Sequence, residues 1–264
     1  ALLEAQPAMH AGLLSPQGKI LFDFFVVRSA GGFLLDVARE KAAELVKRLT
    51  LYKLRAAVTI ADVSESYVAL ALWGPHACSS GETIGTVSFA DPRHPEMGLR
   101  ILAEARFTAD ISSATNGMPA DEAAYHAHRI GLGIPEGGKD YGFGDAFPHE
   151  ALFDQLHGVS FSKGCYVGQE VVSRMQHRST ARRRVVILSA DASLPATGSE
   201  ITIGGKPIGT LGTVAGERGL AIVRIDKAGE AMAAGEPILA GDVPVTAALP
   251  GWSGLTFPTA SEEA

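Results

Sequence analysis

The sequence predicts an α+β fold that closes with a small β-barrel, and three features carry that reading. The N-terminal part orders as strand, strand, helix, strand, strand; from Arg182 onward it changes to short strands cut by glycine-rich turns; and 30 glycines with 14 prolines in 264 residues favour many short turns over long helices. With 46% hydrophobic residues the chain can fill more than one core.

Taken in order, Lys19–Val27 (KILFDFFVV) is an almost unbroken apolar run, and Gly31-Gly32 before FLLDV supplies a turn and a returning strand, so a hairpin is expected. Asp36 is a candidate cap for a helix over Ala38–Leu51, where Ala42, Leu45, Val46 and Leu49 share one face and Lys47 and Arg48 lie toward the negative end. Strands are expected at Ala56–Ala61 and Tyr67–Trp73, then at Thr86–Phe89 and in the alternating segment Leu99–Phe107. Pro119, Asp121 and Glu122 open a helix that runs to Arg129, and a short helix is expected near Glu150–Leu156. After Arg182 the runs RRVVILSA, EITI, KPIGTLGTV, GLAIVRI and PILAGDVPVTAAL make the barrel. The expected division is 1–181, in two lobes of 1–74 and 75–181, then a barrel over 182–251 and a polar tail over 252–264.

A net charge of −6 argues against a surface given over wholly to nucleic acid. Two cysteines, Cys78 and Cys165, make neither a disulfide framework nor a zinc site, and a reducing compartment is the natural reading. No apolar run is long enough to span a bilayer and the first ten residues lack the features of a secretion signal, so a cytoplasmic protein is expected.

The chemistry concentrates in Ser160–Arg178, SFSKGCYVGQEVVSRMQHR. Gly164 and Gly168 bracket Cys165, Lys163 stands beside it, and Gln169–Met175 can begin a helix with Val171, Val172 and Met175 facing inward. A thiol just before a helix N-terminus and next to a lysine is placed where its thiolate is favoured, hence nucleophilic or metal-competent. The plain alternative is a small buried filler in a glycine turn. Arg174–Arg184 holds five arginines and His177; it reads either as a solvated edge or as an anion site for carboxylates or RNA phosphates. His126 and His128, two apart on a helix, do not share a face, and no metal site is expected.

Residues 163–170, K-G-C-Y-V-G-Q-E, resemble position for position the K-G-C-[FY]-x-G-Q-E sequence of the YgfZ family, relatives of the glycine-cleavage T-protein that include mitochondrial iron–sulfur assembly factors. Leu14–Val27 is similar to that family's L-x-x-x-G-K-x-x-x-D hairpin, and Arg129–Gly137 to its R-x-x-x-G-x-P-E-G loop. The resemblance covers the chain essentially end to end and implies that the family's opening strand and helix are lacking here. It implies a three-lobed T-protein-like folate-binding fold with a C-terminal β-barrel, and tetrahydrofolate or a related folate as cofactor. It also implies Cys165 as the working thiol, with Asp23, Arg129, Lys163, Gly164, Tyr166, Gly168, Gln169, Glu170 and Arg174 as folate contacts.

Departures from the T-protein bear on activity: Phe22 precedes Asp23 where paired acids are usual, Gly131 stands where a glutamate holds the pterin, and Cys165 replaces an aromatic. Aminomethyl transfer needs a carboxylate or equivalent to position the pterin and manage a proton, and Asp23 and Glu136 are the candidates to substitute. The resemblance therefore implies a folate-binding accessory of iron–sulfur maturation with transient contacts to client enzymes and assembly factors, monomeric, in the mitochondrial matrix if the source is eukaryotic. An aminomethyltransferase and an RNA-binding accessory of tRNA modification, acting through Arg174–Arg184, are the alternatives.

Overall fold

The computed structural model describes residues 6–74, 81–83, 85–108, 111, 117–177 and 181–258. Cys78 lies outside them, as does Arg178. The chain forms two compact units interleaved in sequence: the first is Ala1–Leu13, Phe22–Ala120 and Leu156–Gly158, the second Leu14–Leu21, Asp121–Gln155 and Val159–Ala264.

A three-stranded sheet is ordered β1 (Ala8–Leu14), β2 (Ile20–Ser29), β3 (Gly32–Val37). The expected hairpin is β2–β3, antiparallel with Phe24 opposite Val37 and Ser29 opposite Gly32. Strand β1 is an addition to the sequence expectation, because AMHAGLL has little β-propensity of its own; it becomes a strand by pairing with β2. Helix α1 (Arg39–Tyr52) buries Ala42 and Leu45 as its spacing requires. Asp36 does not cap it. Its carboxylate instead accepts Arg100 Nε at 2.9 Å and Nη2 at 2.5 Å.

A four-stranded sheet follows, in the order β4 (Tyr67–Leu72), β7 (Leu99–Glu104), β6 (Thr86–Ala90), β5 (Gly81–Thr83). Strand β7 stops at Glu104, and Ala105–Phe107 is a 3-10 turn, so the alternating pattern runs past the end of the strand. Phe25 and Val27 of β2 pack with Val87, Phe89 and Leu102 as the core of this unit. Residues 56–61 do not form the expected strand: their β-branched residues find no paired backbone, and Val58 is half exposed. Residues 57–61 help line a cavity of about 930 Å3 with Phe33, Leu35, Ala42 and Leu45.

In the second unit, α2 (Glu122–Leu132) starts at Asp121, whose side chain accepts Ala124 N–H at 2.8 Å, and stops at Gly133 in the left-handed region. Pro119 lies ahead of it. Residues 150–156 form turns rather than a helix, with Leu152 at φ 60°. Helix α3 (Gln169–His177) follows the thiol segment.

The barrel is closed: β8 (Arg183–Ser189), β9 (Glu200–Ile203), β10 (Lys206–Ala215), β11 (Arg218–Arg224), β12 (Ile238–Ala240) and β13 (Val243–Ala248), in the order β10-β11-β8-β13-β12-β9. Closure leaves no open edge. Val186, Leu188, Ile201, Leu211 and Val223 fill it. Helix α4 (Ile225–Ala234) is a further addition; Gly229 sits where an added Cβ would come within 2.5 Å of the Pro258 carbonyl, so the residue that obscures the helical pattern is needed for packing.

Candidate functional site

Cys165 is a free, exposed thiol, so the buried-filler alternative falls. The chain around it is held from several sides. Gly168 has φ 83°, and a Cβ there would lie 2.6 Å from the Ser15 carbonyl oxygen and 2.9 Å from Gly18 Cα. Gly18 is itself left-handed at φ 81°, with Val171 Cβ only 3.0 Å from where its own Cβ would stand. The turn Ser15–Gly18, closed by Gly18 N–H donating to Ser15 O at 2.8 Å, thus seats the first turn of α3. Gly164 has open space on its Cβ side and is not demanded by packing.

Tyr166 N–H donates to Gln169 Oε1 at 3.4 Å, and Gln169 N–H returns a bond to Tyr166 O at 3.2 Å. Burial pushes the Tyr166 phenol above its usual range, so it stays protonated at neutral pH. The Lys163 ammonium stands 4.9 Å from the Tyr166 ring centroid, and its backbone N–H donates to Ser160 Oγ at 3.2 Å. On α3, exposed Glu170 and Arg174 approach only to 3.8 Å, which leaves both available to solvent. Lys163, Gly164, Cys165, Tyr166, Gly168, Gln169, Glu170 and Arg174 are therefore one local surface.

The remaining expected folate residues are Asp23, in the first unit, and Arg129, in the second. Asp23 is half-buried in the first unit, where its charge acts on His10. Arg129 corrects the sequence reading: it is fully buried, and its guanidinium is spent inside the protein. Nη1 donates to Asp140 at 2.5 Å and to Ile134 O at 3.2 Å, Nη2 to Thr213 Oγ1 at 2.5 Å, and Nε to His126 Nδ1 at 2.8 Å. Asp140 also accepts the backbone N–H groups of Glu136 and Thr213, both at 2.8 Å. Arg129 thus ties α2 and the 134–140 loop to β10 and presents nothing to a ligand. A long cation on a helix looks the same in sequence whether it points in or out.

The arginine run divides likewise. Arg184 is buried, with Nη1 donating to Asp154 at 2.7 and 2.8 Å, while Arg183 is 3.7 Å from Glu150. Among the described residues no cluster of three or more His, Cys, Asp or Glu could hold a metal. No described helix is long and apolar enough to cross a membrane. The cavity near 56–61 contains none of the expected folate residues. Sequence reading missed His149, whose buried ring meets both Phe161 and Gln176; a lone histidine in FPHEALF carries no signal of that.

The closed barrel, the two sheets and the glycine-framed thiol turn define the class. The backbone is that of the T-protein group: it matches glycine cleavage system aminomethyltransferase T of Bartonella henselae with a TM-score of 0.72 over 93% of this chain and 76% of that one, at 18% identity, a likeness of fold alone. Residues 182–255 match the family described as CAF17, C-terminal beta-barrel domain. The iron-sulfur cluster assembly factor IBA57 of Mus musculus is 32% identical over 98% of this chain and 76% of its own length. The Homo sapiens protein is 32% identical over 84% and 67%, and the Mycosarcoma maydis homologue 34% over 69% and 46%; all three are named mitochondrial. The chain belongs to the YgfZ/IBA57 family, and spans about half the length of the fungal relative.

Proposed function

We propose that this chain is a maturation factor for iron–sulfur proteins and that Cys165 is its working group. The observation that carries the reading is the solvent-exposed thiol on a turn fixed by Gly168, in a chain whose relatives are named iron–sulfur cluster assembly factors.

The chemistry is ligand exchange with the cluster as substrate. Cys165 loses its proton to solvent, its sulfur bonds an iron of the incoming cluster, and the donor's thiolate leaves that iron and takes up a proton. No electron changes hands. Turn rigidity keeps the sulfur outward, and Lys163 with Arg174 supplies positive charge toward an anionic, thiolate-ligated cluster.

Folate fits part of the surface. Exposed Lys163 and Arg174 suit the glutamate carboxylates of its tail, and Tyr166 offers a ring face; Arg129 is excluded by its burial. Bound there, a reduced folate would supply a reducing, aromatic neighbour to the thiol. The partners are client and assembly proteins met transiently by a monomer, in the mitochondrial matrix if the source is eukaryotic.

The test is complementation. In cells lacking the endogenous protein, Cys165→Ala and Cys165→Ser should fold with unchanged circular dichroism yet fail to restore iron–sulfur enzyme activity. Full restoration by both overturns the thiol reading.

A further inference from the structure

His149 lies outside the thiol motif, yet it touches the chain on both sides of Cys165. The residue is 1% exposed, and its ring stands 6.1 Å, centroid to centroid, from Phe161, four residues before the cysteine. Its Nε2 lies 3.0 Å from Oε1 of Gln176 on α3, the helix that begins four residues after it. The backbone of His149 is itself fixed, because its carbonyl accepts Arg184 Nη1 at 2.7 Å and Arg184 is locked to Asp154. Both flanks of the thiol turn thus rest on one imidazole carried by a rigid part of the unit.

The second ring nitrogen, Nδ1, is buried and has no hydrogen-bond partner among the described residues. With Gln176 Oε1 as acceptor, the neutral ring carries its proton on Nε2 and leaves Nδ1 as a bare lone pair. A second proton would create an N–H with nothing to receive it and a charge near the Arg184 guanidinium. Burial opposes that charge most; the Gln176 bond and Asp154 favour it, Arg184 opposes it, and the balance holds the ring below the ordinary histidine value. Glu150, next in sequence, is a further carboxylate in this stretch and lies 3.7 Å from Arg183.

We propose that His149 is a positioning residue for Cys165: a latch, closed while the imidazole is neutral, that holds the 159–165 segment and α3 in place and loosens when the ring is protonated. This deepens the assignment of Cys165 as the working thiol and draws its biological meaning from it. The test reads geometry alone.

Two quantities are followed from pH 5 to 9 on the purified full chain. One is the rate of alkylation of Cys165 by iodoacetamide, resolved from Cys78 by peptide mass spectrometry; the other is amide hydrogen exchange across Gln169–His177. The native protein should show, besides the thiol's own titration, an inflection below about pH 6.5 at which intrinsic-rate-corrected α3 exchange rises about tenfold. His149→Phe keeps a ring against Phe161 but has no proton to gain: the inflection disappears and α3 exchanges about tenfold faster at every pH. His149→Gln, which retains a donor toward Gln176, should restore slow exchange without restoring the inflection. Gln176→Leu should speed α3 exchange from the other side of the bond, and it decides the matter if His149→Phe does not fold. A native profile without the inflection, or His149→Phe and Gln176→Leu proteins indistinguishable from native, overturns the proposal. Neither result touches complementation by the Cys165 variants, so the two readings fail separately.

Discussion

Arg129→Met removes the buried guanidinium while keeping a long side chain in its place. Asp140 would lose its charged partner but keep two backbone donors, the N–H groups of Glu136 and Thr213. His126 Nδ1, Thr213 Oγ1 and the Ile134 carbonyl would each lose a donor. Removing one member of a buried ion pair costs ~3–5 kcal/mol, and the retained donors place this case near the lower end, at about 3 kcal/mol. For a unit of this size that lowers the melting temperature by on the order of 10 °C. Urea titration followed by Trp252 fluorescence reports the change, since Trp252 Nε1–H donates to Leu132 O at the end of α2, 2.6 Å away. Asp140→Asn should cost a similar amount, and the double variant should fall short of the sum by ~1–3 kcal/mol, as expected for partners in contact. The loss must appear in folate-free protein. A folate-free Arg129→Met protein within about 0.5 kcal/mol of native, the range of an ordinary surface change, would refute the network and return Arg129 to the ligand.

The two glycines of the thiol turn should separate cleanly. Gly168→Ala faces a left-handed backbone and a carbonyl oxygen 2.6 Å from its new Cβ, for a loss of at least ~2 kcal/mol in urea unfolding, whereas Gly164→Ala should stay within about 0.5 kcal/mol. Acid should weaken the first unit through His10. Burial first, then the Arg93 charge, lower its pKa, with Asp23, Asp91 and the bond to Leu156 O acting the other way. The folded state therefore binds fewer protons than the unfolded one, and stability falls as pH drops below about 6.5 toward the lowered folded value. Urea midpoints measured from pH 7.5 to 5 should decline for the native chain, with a shallower decline in His10→Asn.

What the sequence made legible, and what it hid, follows from where each element gets its support. The β2–β3 hairpin and the barrel strands carry their own apolar runs and turn residues, so they are readable locally. β1 and the 56–61 segment are decided by whether a neighbouring backbone is there to pair with, which no local pattern records. Leu152 reverses the chain at φ 60° inside a stretch that scans as helix. At the site, the glycine-framed thiol was visible because rare residue types at fixed spacing survive without coordinates. Arg129 and His149 were not, since each is defined by partners far along the chain: Thr213 for one, Gln176 for the other.

The interleaving of the two units has a bearing on biosynthesis. Leu14–Leu21 leaves the ribosome early yet belongs with residues made only after Ala120, from Asp121 onward, while Leu156–Gly158 arrives late to finish the unit that holds Phe22–Ala120. Neither unit can be completed as a simple N-terminal or C-terminal half, so nascent chains stalled anywhere before Gly158 should remain incomplete and dependent on chaperones. For the same reason, splitting the gene after the codon for Ala120 should yield two insoluble fragments rather than two working domains.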